Sequence, residues 1–402
     1  MVAVSDARRN CGLFDRAVAS QDADMKTIHK QPSWRIASDR VEAYVTQLGG
    51  HIAPITFDRK GRRITPYSIA PWAKEKIDPK TPAILRVLRG DFFCLPFGGN
   101  ATGFRGEKHP IHGETANAKW RLEELRSAGR KTTLHLSVKT RVRPGRVDKH
   151  ISLVDGEDAV YSRHVISGMA GPMNPGHHAM LKFPEAEGSG VVSTSRILFG
   201  QVFPGEFEQA EIGGYSCLKR GAEFESLENV PMANGGTADV TRYPARRGFE
   251  DLLMIVSDPD LAFAWTAVTF ARERFVWFAL KDPKVLRETV FWLSNRGRHY
   301  PPWSSRHVNV MGIEEVTANF HFGLAESATA NPISAKGWPT CLMLDPAKPT
   351  VVNYIMGIAM IPSGFDRVAE IRSENRGIVL LSKSGKSAKA RVDLAFLGES
   401  AR

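Results

Sequence analysis

The stretch Thr133-Leu134-His135-Leu136-Ser137-Val138-Lys139-Thr140-Arg141-Val142 alternates strictly enough to decide the fold. Leu134, Leu136, Val138 and Val142 fall on one side of an extended chain; His135, Ser137, Lys139 and Arg141 fall on the other. A period of two is the mark of a strand with one face in a core and one toward water. The same texture spreads outward. Ile151 and Leu153 lead into Asp155-Gly156, and a further apolar run, Val160 to Ile166, follows. Asp-Gly between two such runs is a strong hairpin signal.

Upstream, Val41, Ala43 and Val45 alternate with Glu42, Tyr44 and Thr46 before Gly49-Gly50 turns the chain. Downstream come Leu252 to Val256, Leu261 to Val268, Phe275 to Leu280, Val290 to Leu293, Val308 to Ile313, Val351 to Ile361 and Arg376 to Leu381. Residues 68–89 allow a short helix at most. Many short strands with frequent turns and no fixed repeat predict an all-β chain, a large antiparallel β-sandwich. The expected organisation is a loosely structured lead-in over residues 1–32, the sandwich over 33–380, and a C-terminal strand and tail over 381–402. Within that tail, Ser382 to Lys389 reads as a hairpin loop or a mobile end.

At 402 residues the chain can bury a large core without covalent staples. Its 24% charged and 42% hydrophobic residues exclude global disorder. No apolar run approaches the ~18 residues a membrane span needs, so no membrane partner is expected. The net charge is +11, but the basic residues are dispersed and do not interleave with aromatics, so no nucleic-acid partner is expected either. Cys11, Cys94, Cys217 and Cys341 stand far apart, with no Cys-x-x-Cys for zinc or redox work. The opening residues show no apolar secretory core. A reducing, cytoplasmic setting with free thiols is the expectation.

Three segments concentrate titratable groups where a sandwich would place apolar ones. One runs from Leu95-Pro96-Phe97-Gly98-Gly99-Asn100 through Lys108-His109-Pro110-Ile111-His112-Gly113-Glu114 to Trp120. The second is Asn174-Pro175-Gly176-His177-His178, ending at Phe183; the third is Tyr300-Pro301-Pro302-Trp303 and then Met311-Gly312-Ile313-Glu314-Glu315-Val316-Thr317. Imidazoles and carboxylates are the usual parts for proton transfer near neutrality. Their order resembles the galactose mutarotase or aldose 1-epimerase superfamily, over roughly residues 35–365. That family carries a His-Gly with Trp eight positions after the His, matched by His112-Gly113 and Trp120. A hairpin then leads into Gly-x-His and a Phe, matched by Gly176-His177-His178 and Phe183. A strand finishing in a catalytic Glu, often Glu-Pro-x-Thr, is matched by Glu314 to Thr317. The chain departs from the family at Ala116, where an Arg is common, at Glu315, where Pro is common, and at Gly99-Asn100, where Arg105 is the available substitute. The Asp with which the family commonly holds a sugar hydroxyl has no clear match, although Asp251 lies in a plausible strand.

The resemblance implies interconversion of sugar anomers by acid/base ring opening, with no cofactor and no metal. It implies Glu314 as base, His178 as acid and His112 as a hydrogen-bond partner of the ring or anomeric oxygen. Asn100, Arg105, His109, Glu114, His177, Trp303 and Glu315 are the expected substrate contacts. His177 competes with His178 for the acid role. Side chains alternate along a strand, so one of Glu314 and Glu315 is structural. Trp120, Trp303 and Phe97 are candidates to cover a sugar face. The partner is then a small sugar or sugar derivative, and no feature fixes an oligomeric state. Two other classes remain open at this point. One is a carbohydrate-recognition protein without turnover. The other is a cupin-like metal enzyme built on His109-x-x-His112-x-Glu114, with His178 as a third imidazole.

Overall fold

A computed structural model describes residues 18–20 and 25–400. Strand accounts for 47% of residues against 7% helix, so the layers are sheets. Every strand pair among the named strands is antiparallel. The stretch that opened the reading is the strand Lys131–Thr140. It stops at Thr140 because the Glu114 carboxylate accepts from the Arg141 and Val142 N–H groups and turns the chain there. Asp155-Gly156 joins Gly145–Val154 to Ala159–Ser167 as a hairpin, with Gly156 at φ 81°. Only glycine holds such a φ without strain.

Two large sheets face each other. One has ten strands and includes Lys131–Thr140, Gly145–Val154, Ala159–Ser167, Thr350–Met360, Phe275–Lys281 and Ala264–Phe270. The other has seven, in the order Glu223–Phe224, Ile197–Val202, Phe249–Ser257, Glu288–Asn295, Val310–Val316, Gly176–Lys182 and Phe93–Cys94. On the seven-stranded sheet, Ala179, Leu181, Leu253, Phe291, Leu293, Met311 and Ile313 join the core between the sheets. Their alternate neighbours Met180, Leu252, Met254, Val290, Trp292, Val310 and Val316 point the other way.

That second face is not left to water. Trp72, Ile84, Leu88, Phe92, Phe97, Trp303 and Phe320 roof it from loops and from the short helix Ala83–Val87. A three-stranded sheet, Val368–Glu374, Gly377–Ser382 and Ser387–Ala390, covers the outer face of the ten-stranded sheet. Residues 383–386 are therefore the loop of a hairpin. Strands buried on both faces read as continuous apolar runs, as Phe275–Lys281 does.

The boundaries expected from sequence fall inside paired strands. Of the lead-in, residues 1–17 and 21–24 lie outside the described residues, and so does Cys11. Met25–Ile28 is a strand paired with Gln31–Ala37. At the other end, Gly377–Ser382 crosses the expected break at 380 and pairs with Ser387–Ala390. No helix among the described residues is long and apolar enough to cross a membrane.

Candidate active site

Neighbouring strands carry His178 opposite Glu314, and His177 opposite Glu315. Alternation sends the two pairs to opposite faces of the sheet. His178 and Glu314 point under the roof, where His178 Nε2 and Glu314 Oε1 are 3.1 Å apart. Gly312 makes room for this carboxylate: a Cβ there would lie 2.8 Å from Glu314 Oε1. Phe92 stacks on the His178 ring with centroids 4.5 Å apart, and Phe92 O accepts from the His178 N–H.

His112 arrives from the loop after the early proline segment. Its ring is edge-on to His178, with centroids 5.0 Å apart. Gly98 N–H donates to His112 Nδ1 at 3.4 Å, which leaves the ring hydrogen on Nε2, pointing at His321 Nε2 3.3 Å away. The turn that aims His112 depends on Gly113, at φ 75° and bridged to Leu95. A Cβ at Gly113 would sit 1.9 Å from Leu95 O. Gly113→Ala is expected to cost about 3 kcal/mol or more, read as a lowered denaturation midpoint.

These groups line a cavity of about 270 Å³, walled by Phe92, Phe207, Trp292 and Trp303. Arg298 enters the same space, its guanidinium carbon 4.5 Å from the Trp303 ring centroid and 5.1 Å from that of Trp292. Its Nε donates to Glu208 Oε1 at 2.6 Å, and the Tyr300 hydroxyl donates to Glu208 Oε2 at 3.1 Å. Glu250 braces the wall from behind, accepting from Trp292 Nε1 at 2.8 Å, Ser294 Oγ at 3.0 Å and Gly297 N–H at 3.1 Å.

Burial drives the protonation of the site. It pushes the Glu314 carboxyl well above the carboxylate range, against the pull of the Arg298 charge. It lowers His178 to about 3, with His321 adding to the effect. His112 falls well below the usual imidazole value for the same reason, then through His321 and His178. Burial thus favours a carboxylic acid against a neutral imidazole, the reverse of the carboxylate and imidazolium that the resemblance implies.

Elsewhere burial raises Glu250 to about 7 and Glu288 to about 8. The folded chain holds these protons more tightly than the unfolded chain, so this stability is complete below 4.5 and is lost progressively as pH rises from there through about 7 and about 8. Burial lowers His307 to about 3 and His321 to about 4. Their contribution is complete above 6.5 and lost as pH falls through about 4 to about 3. Thermal denaturation midpoints are therefore expected to peak near about pH 6 and to fall on both sides.

Of the residues expected from sequence, the structure brings His112, His178, Glu314 and Trp303 to one cavity. It does not bring the other expected substrate contacts there. His177 and Glu315 point into the interior between the sheets. His177 Nδ1 is 3.0 Å from Asp91 Oδ2, and its ring stacks on Tyr354. Glu315 pairs with Lys281 at 2.5 Å and accepts from Thr266 and Thr289. Asn100 is spent on backbone, donating to Pro96, Gly98 and Pro110 carbonyls and accepting from Leu324 N–H. Arg105 is exposed over Phe104, His109 pairs with Glu107, and Glu114 caps the turn at Arg141. Trp120 and Phe97 are core residues, and Asp251 accepts from the Cys217 and Leu218 N–H groups.

With these bonds, His109, His112 and Glu114 do not form a common ligand set. Among the described residues no group of three or more His, Cys, Asp or Glu is placed to hold a metal. His321, Arg298, Trp292 and Phe207 were not singled out from sequence, and Tyr300 was noted only as the start of a segment, not as a site residue. The available signals were His321 between two phenylalanines and Arg298 two positions before the noted Tyr300-Pro301-Pro302-Trp303.

Known structures share this architecture. A galactose mutarotase-like protein from Clostridium acetobutylicum aligns with a TM-score of 0.57 at 15% identity, over 84% of this chain and 98% of that one. A galactose mutarotase related enzyme from Lactobacillus acidophilus aligns with a TM-score of 0.51 at 13% identity, over 81% of this chain and 97% of that one. At the level of sequence, no family model matches the chain and no curated protein matches it. The fold is that of the galactose mutarotase-like proteins.

Proposed function

We propose that the chain is an aldose 1-epimerase-like isomerase that binds a sugar in the 270 Å³ cavity and interconverts its anomers. The observation that carries this reading is the buried His178–Glu314 contact at 3.1 Å, facing His112 inside an aromatic enclosure. Aromatic faces suit the C–H face of a pyranose. Ring opening requires one proton delivered to the ring oxygen and one removed from the anomeric hydroxyl. A carboxylic acid beside a neutral imidazole supplies both. The Glu314 proton passes to the ring oxygen as the bond from C1 to that oxygen breaks. His178 takes the anomeric hydroxyl proton as the carbonyl forms. After rotation about the exposed carbonyl the same steps run backward from the other face. The two groups are thus each acid once and base once, with no net gain or loss of protons.

In the sugar-bound site His112 Nε2–H exchanges His321 Nε2 for the oxygen that gathers charge during opening. Arg298, held by Glu208, favours the transient Glu314 carboxylate. Free thiols at Cys94, Cys217 and Cys341 suit a cytoplasmic setting. The test is anomeric exchange measured by NMR on a panel of free and phosphorylated aldoses. Acceleration over buffer for at least one sugar supports the reading. Saturable binding without acceleration moves the chain to the carbohydrate-recognition class.

A further inference from the structure

A second cavity of about 300 Å³ lies beside the first and shares Phe207 and Leu252 with it as a common wall. Glu208 stands in the same wall. It lines the second cavity while its carboxylate is bonded to Arg298 and Tyr300 of the first. On the far side stands Tyr215, 43% exposed despite its size. Its position is fixed. Tyr215 N–H donates to Gly297 O, Tyr215 O accepts from Glu250 N–H, and the ring meets His299 edge-on. The segment 297–300 that presents Arg298 to the first cavity therefore also fixes Tyr215 beside the second. The rim carries exposed Glu206 and Glu211; Arg220, its one cation among the lining residues, pairs with Glu206 at 3.4 Å and leaves Glu211 without a cation among them.

We infer that this second cavity is a subsite for another sugar unit, so that the substrate is the reducing end of a neutral oligosaccharide. The inference rests on the proposed function of the first cavity. A half-exposed aromatic ring on a hydrogen-bonded backbone is a platform for a pyranose face, and carboxylates accept from sugar hydroxyls. The carboxylate excess at the rim disfavours phosphorylated or acidic sugars. A first cavity below the usual 300–1,000 Å³ of drug-sized sites has room for one sugar, and the adjoining space takes the next.

Binding of methyl β-D-glucopyranoside and of methyl β-maltoside, measured by calorimetry, tests this. Neither glycoside can open its ring, so the affinity ratio does not depend on turnover; exchange on free glucose and maltose reads the first cavity separately. The expected result is maltoside binding at least about tenfold tighter, with Tyr215→Ala erasing that advantage and Tyr215→Phe keeping it. Equal affinities, no binding of either glycoside, or an advantage that survives Tyr215→Ala would overturn the subsite.

Discussion

Glu314→Gln is expected to slow anomeric exchange by ~10²–10⁴-fold while sugar binding persists. Glutamine keeps the length and shape of the side chain and can still reach His178 and bond a sugar hydroxyl. It cannot release a proton to the ring oxygen. The fold should tolerate the change well, because burial already favours the neutral form of the wild-type carboxyl. Measured together, exchange by NMR, binding by calorimetry and the denaturation midpoint separate chemistry from structure. Exchange retained within twofold in Glu314→Gln would remove the carboxyl from the mechanism. Binding without turnover in the unmodified chain would move the recognition class ahead.

The neighbouring carboxylate should behave in the opposite sense. Glu315 is buried between the sheets and paired with Lys281, which also donates to Glu288 O and Thr289 Oγ1. Lys281→Met leaves the Glu315 charge buried without its counter-ion, a loss of about 3–5 kcal/mol. Lys281→Met combined with Glu315→Gln removes both charges and should recover most of that loss. The double-mutant cycle reads the coupling directly. Turnover per folded molecule should be unchanged in Glu315→Gln, since its side chain never meets the cavity. If Glu315→Gln abolishes exchange and leaves stability intact, the two faces have been assigned the wrong way round.

How much of this was legible in the sequence depends on what each residue faces. Lys131–Thr140 shows its period because one face is core and the other is partly wet. Val310–Val316 is buried throughout, so hydropathy shows a strand there but not which face holds the site. His112, His178 and Glu314 could be found because their spacing follows a family order. His321, Arg298 and Phe207 come from roof loops, where no period marks which side chain turns inward. Asn100, His109 and Glu114 misled because polar residues close to a site in sequence are often spent on holding loops. Asn100 and Glu114 together satisfy several backbone groups that the roof would otherwise leave unpaired.

The back-to-back placement of His177 with His178, and of Glu315 with Glu314, has an evolutionary consequence. One extra residue inside Val310–Val316 would exchange its two faces, losing the Glu314–His178 contact and the Glu315–Lys281 ion pair in one event. The chemistry is thus inherited with the framework and can scarcely drift apart from it. The roof loops have no such bond to the register. They can lengthen, shorten or trade an aromatic for a polar group without disturbing how the sheet is threaded. Under the proposed function, descendants of this chain are free to change which sugar they accept long before they can change what they do to it.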